Sequence, residues 1–129
     1  MSITRRSFGL GTASLTLGAV AAPWIRSANA AAPIKIGVIN SMSGGLAAYA
    51  QEGQPAFEYI IKKINDEGGI KSKGGAKIEL IQADDTSQPA RTATEARRLI
   101  TEEKVNLLTG TILSAQMLAL TPVLDELKM

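Results

Sequence analysis

The 129-residue sequence contains no cysteine and no histidine. The first absence excludes disulfides and thiolate chemistry. The second removes the commonest general base and metal ligand. Several motifs are missing as well. No GxGxxG follows the first strand-like run, no GxxxxGK[ST] phosphate loop occurs, and there is no G-x-S-x-G nucleophile elbow. A phospho-acceptor receiver domain would need an aspartate at the end of the third strand-like run, where Thr109-Gly110 stand instead. No internal repeat or low-complexity tract interrupts the chain. For the sequence that remains, no catalytic residue, metal site or cofactor is assigned.

Acidic residues are absent before Glu52, whereas Arg5 and Arg6 stand near the start. Phe8 to Ile25 is mildly apolar, and Ala28-Asn29-Ala30 offers small residues at both recognition positions of a signal peptidase. A basic region, an apolar region and an A-x-A exit read as a secretory signal peptide over residues 1–30. The order Thr4-Arg5-Arg6-Ser7-Phe8-Gly9-Leu10 resembles a twin-arginine export signal, with an ordinary Sec signal as the alternative. A membrane anchor fits less well, since Gly9, Gly11, Gly18 and Pro23 break the stretch, and a span needs about 20 predominantly apolar residues. Three of the 14 basic residues leave with this leader. The mature part keeps 11 against 12 acidic residues, a formal net charge of −1. The basic pI belongs to the leader and is no nucleic-acid footprint.

Past Pro33, Ile34 to Ile39 reads as a β-strand. A small-residue loop, Asn40 to Ala47, leads into a helix with Phe57, Ile60, Ile61 and Ile64 on one face, ended by Gly68-Gly69. Lys77 to Ala83 alternates as a second, less buried strand. Pro89 opens a second helix with Ala93, Ala96, Leu99 and Ile100 on one face, reaching about Glu103. Val105 to Thr109 reads as a third strand. Ser114 is placed to cap a third helix that carries Leu118, Val123 and Leu127. This β-α-β-α-β-α order predicts an α/β fold, a parallel sheet between two helical layers. The pattern halts at Met129 after three strands, so residues 31–129 are expected to be a partial N-terminal lobe of a longer protein.

Ligands of open parallel sheets bind beyond the carboxyl ends of the strands, where strand order reverses. A central first strand puts two loops there, Asn40 to Ala50 and Gly110 to Gln116. Ser114 starts a helix whose free N–H groups favour an anion such as a carboxylate. It serves equally as a plain cap worth about 1 kcal/mol. In the first loop Ser43 offers a hydroxyl, Gly44-Gly45 allows close backbone approach, and Tyr49 can cover an apolar ligand group or simply pack. Asp84 and Asp85 suggest a metal or acid–base pair less than turn and cap duty ahead of Pro89. Arg91, Arg97 and Arg98 are expected on a solvated helix face.

In order and spacing, residues 34–127 resemble the leucine/isoleucine/valine-binding branch of the type I periplasmic solute-binding proteins. The segments that carry the likeness are IKIGVINSMSGGLAAYAQEGQPAFEYIIKKINDEGGI, ADDTSQPARTATEARRLI and VNLLTGTILSAQMLALTPVLDE. The resemblance implies a two-lobed, non-enzymatic, periplasmic component of an ABC importer. It implies a small ligand, an amino acid or related carboxylate, trapped between lobes, a permease partner in the inner membrane, and a monomer. It places Ser114 on the ligand carboxylate, Tyr49 over the ligand, and Leu113 and Ala115 beside them as backbone contributors. Gly45 and Ala50 depart from a common proline and a common glycine. A ligand-sensing domain and a small exported α/β enzyme are the rival readings.

Overall fold

A computed structural model describes residues 31–129, so the predicted leader and its paired arginines lie outside the described residues. Strand β1 (Ile34–Asn40) is followed by helix α1 (Ala47–Asp66), strand β2 (Ile78–Asp84), helix α2 (Pro89–Thr101), strand β3 (Leu107–Gly110) and helix α3 (Ser114–Leu127). The sheet order is β2-β1-β3, and both pairings are parallel. Val38 stands between Gln82 and Thr109 in register. The expected central first strand and α/β class are both present.

Alternation along the strands sorts the layers. Ile39, Ile81, Ala83 and Leu108 face α2 and α3 and join Ala96, Leu99, Leu120 and Val123 in the core. Gly37 belongs to the same face, because a side chain there would meet Leu108, Leu99 and Val105. The opposite face, with Val38, Gln82 and Thr109, carries α1. It is covered less completely: Ile60 and Leu107 are each 53% exposed.

Several junctions explain the element ends. Pro89 starts α2, where its missing N–H costs nothing. Gly68 and Gly69 both adopt positive φ after α1, and the Gly69 N–H returns to the Ile64 carbonyl. The Asn65 side chain then accepts from Ile78 N at 2.7 Å and donates to Ile78 O at 2.8 Å, tying the end of α1 to the start of β2.

Three expectations need correction. Ser114 is the first residue of α3, and Leu113 holds the cap position. Leu118 is 73% exposed, and Leu120 takes the core position instead. Of the three arginines expected on a solvated face, Arg91 and Arg97 are exposed and Arg98 is half-buried, and two of them are paired. Arg97 makes a two-pronged bond to Glu126, at 2.9 and 2.6 Å, which joins α2 to α3. Arg98 bonds Glu95 at 2.9 Å and Glu103 at 3.1 Å.

Candidate functional site

The chain passes from β1 to β2 on one side and crosses to β3 on the other, so strand order reverses at β1. The loops leaving β1 and β3 therefore share the carboxyl rim of the sheet. A groove of about 200 Å³ lies there, lined by Val38, Asn40, Tyr49, Phe57, Gly110 and Ile112 among others. Tyr49, in the first turn of α1, stands 68% exposed at its edge. Ser43, Leu113, Ser114 and Ala115 do not line this groove. One wall carries a polar chain. Asn40 donates to Gln54 at 3.4 Å, and Gln54 and Gln82 both donate to Glu58, at 2.7 and 3.1 Å. Those two bonds hold the Glu58 carboxyl below its ordinary value.

Gly110 makes the β3 exit possible. Its φ is +108°, and a Cβ would sit 2.0 Å from the Ile39 carbonyl oxygen. Only glycine lets the backbone turn so close to β1. Gly44 is equally constrained in the other loop, with φ +83° and a would-be Cβ 2.6 Å from the Thr86 carbonyl.

Ser43 is exposed, but its hydroxyl is engaged. It donates to Asp84 Oδ2 at 2.7 Å, while Asp84 Oδ1 accepts from Thr86 N at 2.8 Å. Burial pushes the Asp84 carboxyl up. The Ser43 hydroxyl and the Thr86, Ser43 and Met42 amides outweigh it and leave the group below its ordinary value. Ser87 completes the stitch, its hydroxyl donating to Ser43 O at 2.8 Å and accepting from Leu46 N at 3.0 Å.

Beneath the rim lies a polar knot that sequence reasoning missed. Ser41, Asp85, Thr92 and Gln116 are all 1% exposed or less. Asp85 accepts from Ser41 Oγ at 2.6 Å, Ser87 N at 3.0 Å, Thr92 Oγ1 at 2.7 Å and Gln116 Nε2 at 2.7 Å. A buried carboxylate with four donors is satisfied, which its burial requires. Asp85 thus has the turn duty expected of it through the Ser87 amide, but not the cap duty, since Gln88 holds the cap position of α2 and no side chain caps it. Instead it joins the exits of all three strands. Of the four, only Thr92 and Gln116 gave a signal, each a polar residue on the otherwise apolar buried stripe of its helix.

The loop after β3 is organised by the same knot. Gln116 Oε1 accepts from Ile112 N and Leu113 N, each at 2.9 Å, and Gln116 N bonds Leu113 O at 3.0 Å. Among the described residues, the N–H groups of Ser114 and Ala115 and the Ser114 hydroxyl make no hydrogen bond. The first turn of α3 therefore keeps two amide donors and one hydroxyl free for a guest. Among those residues, no group of three or more acidic side chains is placed to hold a metal ion.

The family profile described as periplasmic binding protein matches residues 33–129. The Leu/Ile/Val-binding protein homolog 7 of Brucella suis is 37% identical over 106 residues, covering 81% of this chain and 25% of that protein. Among solved structures, the branched-chain amino acid transporter substrate-binding protein of Streptococcus pneumoniae, in complex with isoleucine, superposes with a TM-score of 0.67 at 32% identity, over 74% of this chain and 26% of that one. A solute-binding protein of an ABC transporter from Rhodopseudomonas palustris, in complex with 3,4-dihydroxybenzoic acid, gives 0.64 at 32% identity, over 73% and 24%. The chain spans about a quarter of the length of these relatives. With its parallel sheet and flanking helices, it has the lobe fold of the type I periplasmic binding proteins and belongs to the periplasmic binding protein family.

Proposed function

We propose that this chain supplies the first-lobe half of a solute-capture site in an ABC importer, and that it holds the carboxylate of a small ligand at the start of α3. The observation that carries this reading is the pair of unbonded amides at Ser114 and Ala115, with the Ser114 hydroxyl beside them. A helix N-terminus presents N–H groups and positive potential together, which suits an anion. Leu113 shapes the loop, Tyr49 covers the ligand body from α1, and Ser43 braces the neighbouring loop through Asp84.

The ligand class follows from what two relatives share. Isoleucine and 3,4-dihydroxybenzoate differ in their bodies, but each presents a carboxylate. A branched-chain or related amino acid is the leading ligand here. The protein binds without converting its ligand, works outside the cytoplasm, and delivers to a membrane permease as a monomer.

The test is an NMR titration of the ¹⁵N-labelled chain with isoleucine and with 3,4-dihydroxybenzoate. The Ser114 and Ala115 amide signals should move most, in the millimolar range, and Ser114→Ala should weaken the response. Shifts confined to other residues, or none at all, would overturn the assignment.

A further inference from the structure

Gln116 has both ends of its carboxamide fully used. Oε1 accepts from two loop amides, Ile112 and Leu113. Nε2 donates to Asp85 Oδ2 at 2.7 Å and to Ser41 Oγ at 2.9 Å. The orientation is not free. A carboxylate only accepts, so Asp85 must face the NH₂ end, which turns the oxygen toward the loop. Asp85 is held in turn by Thr92 of α2 and by Ser41 at the exit of β1.

We propose that Gln116 is the positioning residue of the capture loop, set by Asp85. It draws the Ile112 and Leu113 amides inward and so leaves those of Ser114 and Ala115 as the pair that meets a carboxylate. Through Ser41 the same knot fixes the β1 loop, so both candidate ligand loops are held in one register. The inference rests on the carboxylate-binding reading above for its functional half. The geometric half stands on the hydrogen bonds alone.

Substitutions in the knot have distinct signs. Gln116→Glu sets a second buried carboxylate against Asp85. Asp85→Asn presents an NH₂ to the NH₂ of Gln116, and flipping the amide only moves the conflict to the Ser87 N–H. The double variant Asp85→Asn/Gln116→Glu restores a donor facing an acceptor with a single charge between positions 85 and 116, although the one proton of the Ser41 hydroxyl is then shared between two acceptors. Thr92 can then accept from Asn at position 85 and donate to the Gln88 carbonyl, already 3.3 Å away. A residue that merely filled space would not be rescued by exchanging donor for acceptor.

The experiment is amide hydrogen exchange on the labelled chain, followed by the isoleucine titration. In the unsubstituted chain the Ile112 and Leu113 amides should exchange at least roughly tenfold more slowly than those of Ser114 and Ala115. Gln116→Ala should abolish that difference and weaken the Ser114 response roughly fivefold or more. The double variant should recover part of both, and either single variant neither. Equal exchange at the four amides of the unsubstituted chain overturns the proposal, whatever the variants do. An unchanged titration in Gln116→Ala overturns it as well. Protection at Ile112 and Leu113 without any ligand response sinks the carboxylate reading, and with it the capture role, while leaving the hydrogen-bond geometry standing.

Discussion

At the scale of single residues, the two adjacent aspartates occupy different surroundings. Asp85 is sealed in the knot, whereas Asp84 sits at the rim and is pulled below its ordinary value by the Ser43 hydroxyl and nearby amides. A carboxyl whose native value is depressed binds fewer protons folded than unfolded. Its contribution is therefore fully present above the unfolded value. It is lost as pH falls through that value and on toward the native one. Urea midpoints measured between roughly pH 5 and pH 2 should fall less steeply in Asp84→Asn than in the unsubstituted chain. Ser43→Ala should act in the same direction by removing one of the bonds. Identical slopes in all three proteins would show that these bonds do not favour the ionised form.

At the scale of elements, what was legible followed from periodicity. β1 reads as a short run rich in β-branched residues and forms within one residue of its expected end. Pro89 marks the start of α2, and Ala96 and Leu99 of its expected stripe are fully buried. The third helix resists the same reading because apolar residues surround it: Met117, Leu118, Ala119, Leu120, Val123 and Leu124 leave no single face. Packing on α2 chooses the register, and it selects Leu120 and Val123. Ser114 looked like a cap because capping chemistry is local. The group that bonds the cap amide, Gln116, is oriented by Asp85, 31 residues earlier. No local pattern carries such a partner, so the rim loops were legible and the knot beneath them was not. The register makes a measurable contrast. Leu120→Ala should cost roughly 2–5 kcal/mol by denaturant unfolding. Leu118→Ala should stay within about 0.5 kcal/mol. The reverse order would mean that α3 packs on the face first expected.

At the scale of the whole molecule, the two faces of the sheet are unequal. α2 and α3 close one, while on the other α1 leaves Ile60 and Leu107 well exposed, and Tyr49 exposed at the rim groove. Formed ligand pockets bury roughly 70–90% of their guest in about 300–1,000 Å³, and the groove here is about 200 Å³. A carboxylate held by two amides and a hydroxyl keeps most of its body in water, and its amine meets no buried acid among the rim residues described. A micromolar dissociation constant corresponds to about −8.2 kcal/mol, more than a few charge-assisted hydrogen bonds provide at about 1.5–3 kcal/mol each once the freedom lost on association is subtracted. Calorimetry on residues 31–129 should therefore detect no micromolar affinity for isoleucine, even where NMR registers the weaker contact at Ser114. A micromolar isotherm would mean that α1 and the β3 loop close on the ligand without a second lobe, and that Tyr49 moves to complete the enclosure.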